Sequence, residues 1–108
     1  MKMKITGPSE VVWPADHIGN LTYEVTVEGD PPRSGSVWVR QDVYDIEDAD
    51  LDLAQYQRVT DGKATMTLGE TPSWPNPPGG GGIIELQLIN FGNRARVLDR
   101  AEATLVAG

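Results

Sequence analysis

An alternation with period two constrains this chain more than any other feature. Leu21, Tyr23, Val25 and Val27 alternate with Thr22, Glu24 and Thr26, and Ala64, Met66 and Leu68 alternate with Lys63, Thr65 and Thr67. Ile84, Leu86 and Leu88 alternate with Glu85 and Gln87, and Ala101, Ala103 and Leu105 alternate with Glu102 and Thr104. Successive side chains of a strand point to opposite faces, so each run has one apolar and one polar face. Several such runs punctuated by turns predict two antiparallel sheets closed on one core. The pattern limits the fold far more than the chemistry. Any function is expected in the loops or on the sheet faces.

The expected elements follow from the punctuation. Residues 1–13 read as a first strand broken at Gly7 and Pro8, as edge strands often are. Pro14, Asp16, Gly19 and Asn20 signal a turn. Strands are expected over 21–28 and 36–44, separated by a polar loop from Gly29 to Gly35. In the second of these, Val37, Val39 and Val43 share one face, and Trp38, Arg40, Asp42 and Tyr44 share the other. The stretch 45–52 is acidic and short of strand formers, and Leu51 and Leu53 open a further candidate strand running to Val59. Asp61 and Gly62 mark a tight turn before a strand over 63–68. A long loop rich in Pro and Gly covers 69–82, and strands over 83–91 and 97–106 flank a turn at Gly92 and Asn93. About seven strands are expected, with no helix, repeat or linker, and the 108 residues form one domain.

Composition removes several function classes. No cysteine is present, which excludes disulfides, thiolate zinc sites and cysteine nucleophiles, and favours a reducing compartment. The opening from Met1 to Pro8 has no apolar run behind its lysines, so no secretory leader is expected and the chain reads as a complete small protein. No stretch approaches the about 20 apolar residues of a membrane span. A net charge of −7 disfavours nucleic acid as a partner. Catalysis has little material. The single histidine, His17, lies in a turn, and the serines have no evident base beside them.

The order of alternating strands resembles an immunoglobulin-like or fibronectin-III-like β-sandwich over nearly the whole chain. Gly7 and Pro8 before Val11 and Val12, then the strand at Leu21, are similar to bacterial and phage Ig-like modules. Antibody domains bury a Trp in the third strand, where this chain has Trp38, but their two cysteines have no counterpart here. The resemblance implies an all-β, antiparallel Ig-like sandwich. It also implies a non-enzymatic module of the kind that decorates capsids or joins tails of phage virions.

Four features are candidates for the working surface. Asp45, Asp48, Asp50 and Asp52, with Asp42 and Glu47 near them, could supply oxygen ligands to calcium, though no EF-hand bend or closing Glu is present. Otherwise they form a solvated, self-repelling loop, or meet a partner's basic patch. Trp74, central in the long loop, either folds back on the domain or anchors a neighbouring subunit. Trp38 and Tyr44, with Tyr56, could form an aromatic face able to stack sugars. The short supply of one Phe, three Tyr and three Trp favours Trp38 as a core residue instead. Arg94, Arg96 and Arg100 form a basic cluster that, set against the acidic segment, makes the molecule electrically lopsided; head-to-tail or capsid-like packing could use this, or the arginines form a solvated turn and edge strand.

The leading expectation is therefore a virion accessory protein, cytoplasmic before assembly. It would bind a capsid or tail protein, or further copies of itself, through loops and edges, with no cofactor. The alternative is an extracellular carbohydrate-binding or calcium-dependent adhesion module.

Overall fold

A computed structural model describes residues 2–13, 20–45, 55–68, 82–92 and 94–107 of the chain. Eight strands are present among them: β1 (Lys4–Thr6), β2 (Glu10–Trp13), β3 (Leu21–Glu28), β4 (Ser36–Asp45), β5 (Gln55–Arg58), β6 (Lys63–Leu68), β7 (Gly82–Phe91) and β8 (Ala95–Ala107). They form a three-stranded sheet of order β1-β3-β6 and a five-stranded sheet of order β2-β8-β7-β4-β5. The all-β expectation holds. The expectation that every pairing is antiparallel does not. β2 runs parallel to β8, with Val11 opposite Leu105 and Trp13 opposite Ala107, so the larger sheet is mixed.

The break at Gly7 and Pro8 explains that parallel pair. β1 pairs with β3 in the small sheet, the chain turns at the break, and β2 then crosses to the far edge of the other sheet. Proline cannot donate to a ladder, so the interruption falls where the chain changes sheets. The first strand thus covers an edge of each sheet, and the count rises from about seven to eight.

The inward faces meet in one apolar cluster. Val25 and Val27 of β3 and Ala64, Met66 and Leu68 of β6 pack against Val39 and Val43 of β4, Ile84, Leu86 and Leu88 of β7, and Ala103 and Leu105 of β8. Trp13 is buried in the same cluster at 1% exposure. The period-two reading of β3, β6, β7 and β8 therefore assigns the core faces correctly. In β4 the valines face inward, and they take with them Gln41, which is 1% exposed.

A buried amide needs partners. Gln41 finds them on the opposite sheet: its Oε1 accepts from the Tyr23 hydroxyl, and its Nε2 donates to the Thr67 carbonyl at 3.0 Å. The Thr67 N–H donates to Gln55 Oε1 at 2.9 Å, so four residues clasp the two sheets together at one end. Burial pushes the Tyr23 phenol well above its ordinary value of 10.0.

Two local devices complete the frame. Asp61 (φ 53°) and Gly62 (φ 74°) turn the chain between β5 and β6, with Thr60 and Lys63 exchanging hydrogen bonds at 2.8 and 3.1 Å. Two successive residues at positive φ make the tight hairpin that Asp-Gly favours. A bulge in β8 shifts its register between Leu88 and Ile89, so that Leu88 faces Asp99 while Ile89 faces Val97. Asp99 turns toward the small sheet, and its Oδ2 accepts the Ile5 N–H at 2.9 Å, which ties β1 to β8.

Candidate interaction face

The outer face of the five-stranded sheet carries the residues that the core does not need. Strand register sets them in rows. Ser36 lies opposite Phe91, and Phe91 opposite Ala95. One row along, Arg58, Trp38, Ile89 and Val97 are neighbours. Then come Tyr56, Arg40, Gln87 and Arg100, next Asp42, Glu85 and Glu102, and then Tyr44, Ile83 and Thr104. Val12 and Val106 close the series on the β2 side.

The first two rows form a second apolar cluster on the side away from the core. The Trp38 ring meets Phe91 edge-on, with centroids 6.5 Å apart and planes at 79°. Phe91 lies 5.8 Å from Tyr56 at 57°. The Trp38 Nε1–H donates to Ser36 Oγ at 2.9 Å, which sets the indole's direction. Ile89 is only 5% exposed yet takes no part in the core cluster. It is covered on the outside, in the row of Trp38. Phe91, Val97 and Tyr56 remain 37%, 39% and 44% exposed.

Charge is organised beside this patch. Arg40 pairs with Asp42 two residues along β4, and its guanidinium stands 5.9 Å over the Tyr56 ring. Partial burial works to lower the Arg40 pKa, but the charge of Asp42 and the Tyr56 hydroxyl outweigh it and the value is raised. Arg40 stays charged, and Asp42 is buried (6% exposed) with its countercharge in contact. Asp42, Glu85 and Glu102 form a row of three carboxylates; neighbouring like charges repel unless something faces them.

The expected site residues fall in different places. Trp38 and Tyr44 share this face. Trp38 is not core: Val39, Gln41 and Val43 occupy the inward positions of β4, and Trp13 is the tryptophan that the core uses. Arg100 also belongs to the face, in the row of Arg40. The bulge separates it from Arg96, which pairs with Asn90 on the inward parity and lines a cleft with Lys2, Met3 and Asp30. Arg94 is exposed in the bend before β8. The basic cluster is thus divided by one extra residue in the strand.

Trp74, Asp48, Asp50, Asp52 and His17 lie outside the described residues, as do Leu51 and Leu53. Asp45 ends β4 opposite Gly82. Among the described residues no group of three His, Cys, Asp or Glu side chains is placed to hold a metal ion. No helix among them is long and apolar enough to cross a membrane. Strand register sets Trp13 beside Ala107, Asp45 beside Gly82, and Leu68 beside Leu21.

Sequence reasoning passed over Phe91 and Ile89 as site residues, and read Asp42 only as part of the acidic run. The signal was available for the first two. Parity in β7 sets Ile89 and Phe91 opposite to Leu86 and Leu88, so an apolar pair was bound for the outer face. The chain matches no protein-family model, and no curated protein aligns with it significantly.

Proposed function

We propose that this protein is a non-enzymatic Ig-like binding module that docks on a protein surface through the outer face of its five-stranded sheet. The observation that carries this is the cluster of Trp38, Tyr56, Phe91 and Val97 over Ile89, rimmed by Arg40 and Arg58. Tyr, Trp and Arg are the residues that dominate binding energy at protein interfaces. An apolar patch of this kind, away from the core, needs a reason in a chain otherwise well covered by charge.

Support for the Ig-like reading comes from the strand order. The order sets β3 beside β6 and β7 between β4 and β8, as the two sheets of such a sandwich would, with the parallel β2–β8 pair as a departure. The acidic charge and the absence of cysteine fit an accessory protein assembled on a repeated surface such as a phage capsid or tail. Many copies there let a weak single contact suffice. The ring geometry favours protein over sugar. Sugar stacking wants exposed coplanar rings, whereas these rings pack against one another at 79° and 57°.

The test is capture of the partner by immobilised wild-type protein and by Phe91→Ser. The variant is expected to keep its β-type circular dichroism and lose capture at least about tenfold, the scale of an interface anchor. Unchanged capture by a folded Phe91→Ser protein would overturn the reading.

A further inference from the structure

We infer that one occupant of this face is a second copy of the chain, docked face to face with its strands antiparallel to those of the first. The inference rests on the face being a protein-binding surface and names the partner.

The argument is the order of the rows. Along the strands the face reads apolar (Trp38, Ile89, Val97), arginine (Arg40, Arg100), carboxylate (Asp42, Glu85, Glu102), then apolar again at Tyr44 and Ile83 with Thr104 and Glu10 beside them. A two-fold axis lying between the sheets, perpendicular to the strands, reverses this order in the second copy. With the axis passing between the arginine and carboxylate rows, Arg100 faces Glu102 of the other copy and Arg40 faces Asp42. The Trp38 row then covers the Tyr44 row. An axis parallel to the strands would set arginine on arginine and carboxylate on carboxylate. Like charges face to face disfavour that docking, so the charge pattern selects one of the two symmetric arrangements.

Two further observations fit. Among the described residues, the structure gives Arg100, Glu85 and Glu102 no ion pair, so these charges are unspent. They line a shallow depression between β7 and β8, at the place where the axis would pass. The area is adequate as well. β2 and β5 hold 4 residues each, β4 and β7 10 each and β8 13; at about 3.4 Å per residue and about 4.8 Å between strands the face is on the order of 700 Å², near one partner's share of a stable protein interface.

The experiment is sedimentation equilibrium of the full chain over a wide concentration range, with three variants. Wild type is expected to show a concentration-dependent dimer. Arg100→Glu and Glu102→Arg are each expected to weaken it at least about tenfold, since each reverses a symmetry-related pair of contacts. The double swap, R100E with E102R, is expected to restore it, because only the reversed-row docking sets these two positions against each other. The β-type circular dichroism of each single variant, unchanged from wild type, shows that it folds. A wild type that stays monomeric, single variants that dimerise normally, or a double swap that fails to recover would each overturn the inference. A monomeric wild type whose partner capture still depends on Phe91 leaves the binding reading standing and removes only the second copy. Capture indifferent to Phe91 removes the reading itself.

Discussion

The two faces of the five-stranded sheet bury apolar groups in different ways. The inner face is aliphatic: Val39, Val43, Ile84, Leu86 and Leu88 are each at most 1% exposed and interlock with the small sheet. Among the described residues of the outer face, Ile89 is the buried apolar side chain, at 5% exposure, among aromatic rings that themselves stay more than a third exposed at Tyr56 and Phe91. Aliphatic side chains fill a closed core at high density, where every missing methylene leaves a void. Aromatic rings carry a large apolar area, and beside arginines they gain much when a partner covers them. The same strands therefore present one face that holds the fold and another that we propose meets a partner.

The largest expected effect tests the inner face. Leu86→Ala should cost about 2–5 kcal/mol of unfolding free energy, read from denaturant midpoints at unchanged slope. A cost below 1 kcal/mol, as at a surface position, would erase the distinction between the faces.

The clasp between the sheets gives an intermediate effect with a pH signature. Tyr23→Phe leaves Gln41 Oε1 buried without its donor and should cost about 1–3 kcal/mol at neutral pH. In the wild type the folded state holds the Tyr23 proton more tightly than the unfolded chain does. Above the ordinary phenol value of 10.0 the folded state therefore binds more protons, and stability falls as pH rises. The contribution is complete below that pH. Alkaline titration of the melting temperature should show a steeper decline in wild type than in Tyr23→Phe. Parallel curves would mean that the hydroxyl is not held as described.

The smallest effect on stability belongs to the outer face. Phe91→Ser should change unfolding free energy by less than about 1 kcal/mol while removing partner capture. A large loss of stability would make the aromatic cluster a second core rather than a contact surface.

How much of this was legible depends on which residues are considered. The inward sets of β3, β6 and β7, the Asp61-Gly62 hairpin and the break at Gly7 and Pro8 could all be read, because alternation and turn chemistry are local properties. The parallel docking of β2 on β8 could not, since nothing in Glu10–Trp13 records which sheet will receive it. The candidate site was half legible. Trp38, Tyr44 and Arg100 were named, but Phe91 and Ile89 join them only through pairing with β4. Arg96 was separated from Arg100 by a bulge that leaves no mark in composition. Asp42 was read as part of an acidic run, and its burial against Arg40 appears only in three dimensions.

Local chemistry alone dictated that this chain makes two-faced strands and where most of them turn, because backbone geometry alternates side chains whatever their neighbours. Tertiary structure decided which charges and rings share a surface. Register across strands distant in sequence sets those rows, and a single extra residue in β8 was enough to move an arginine from one side to the other.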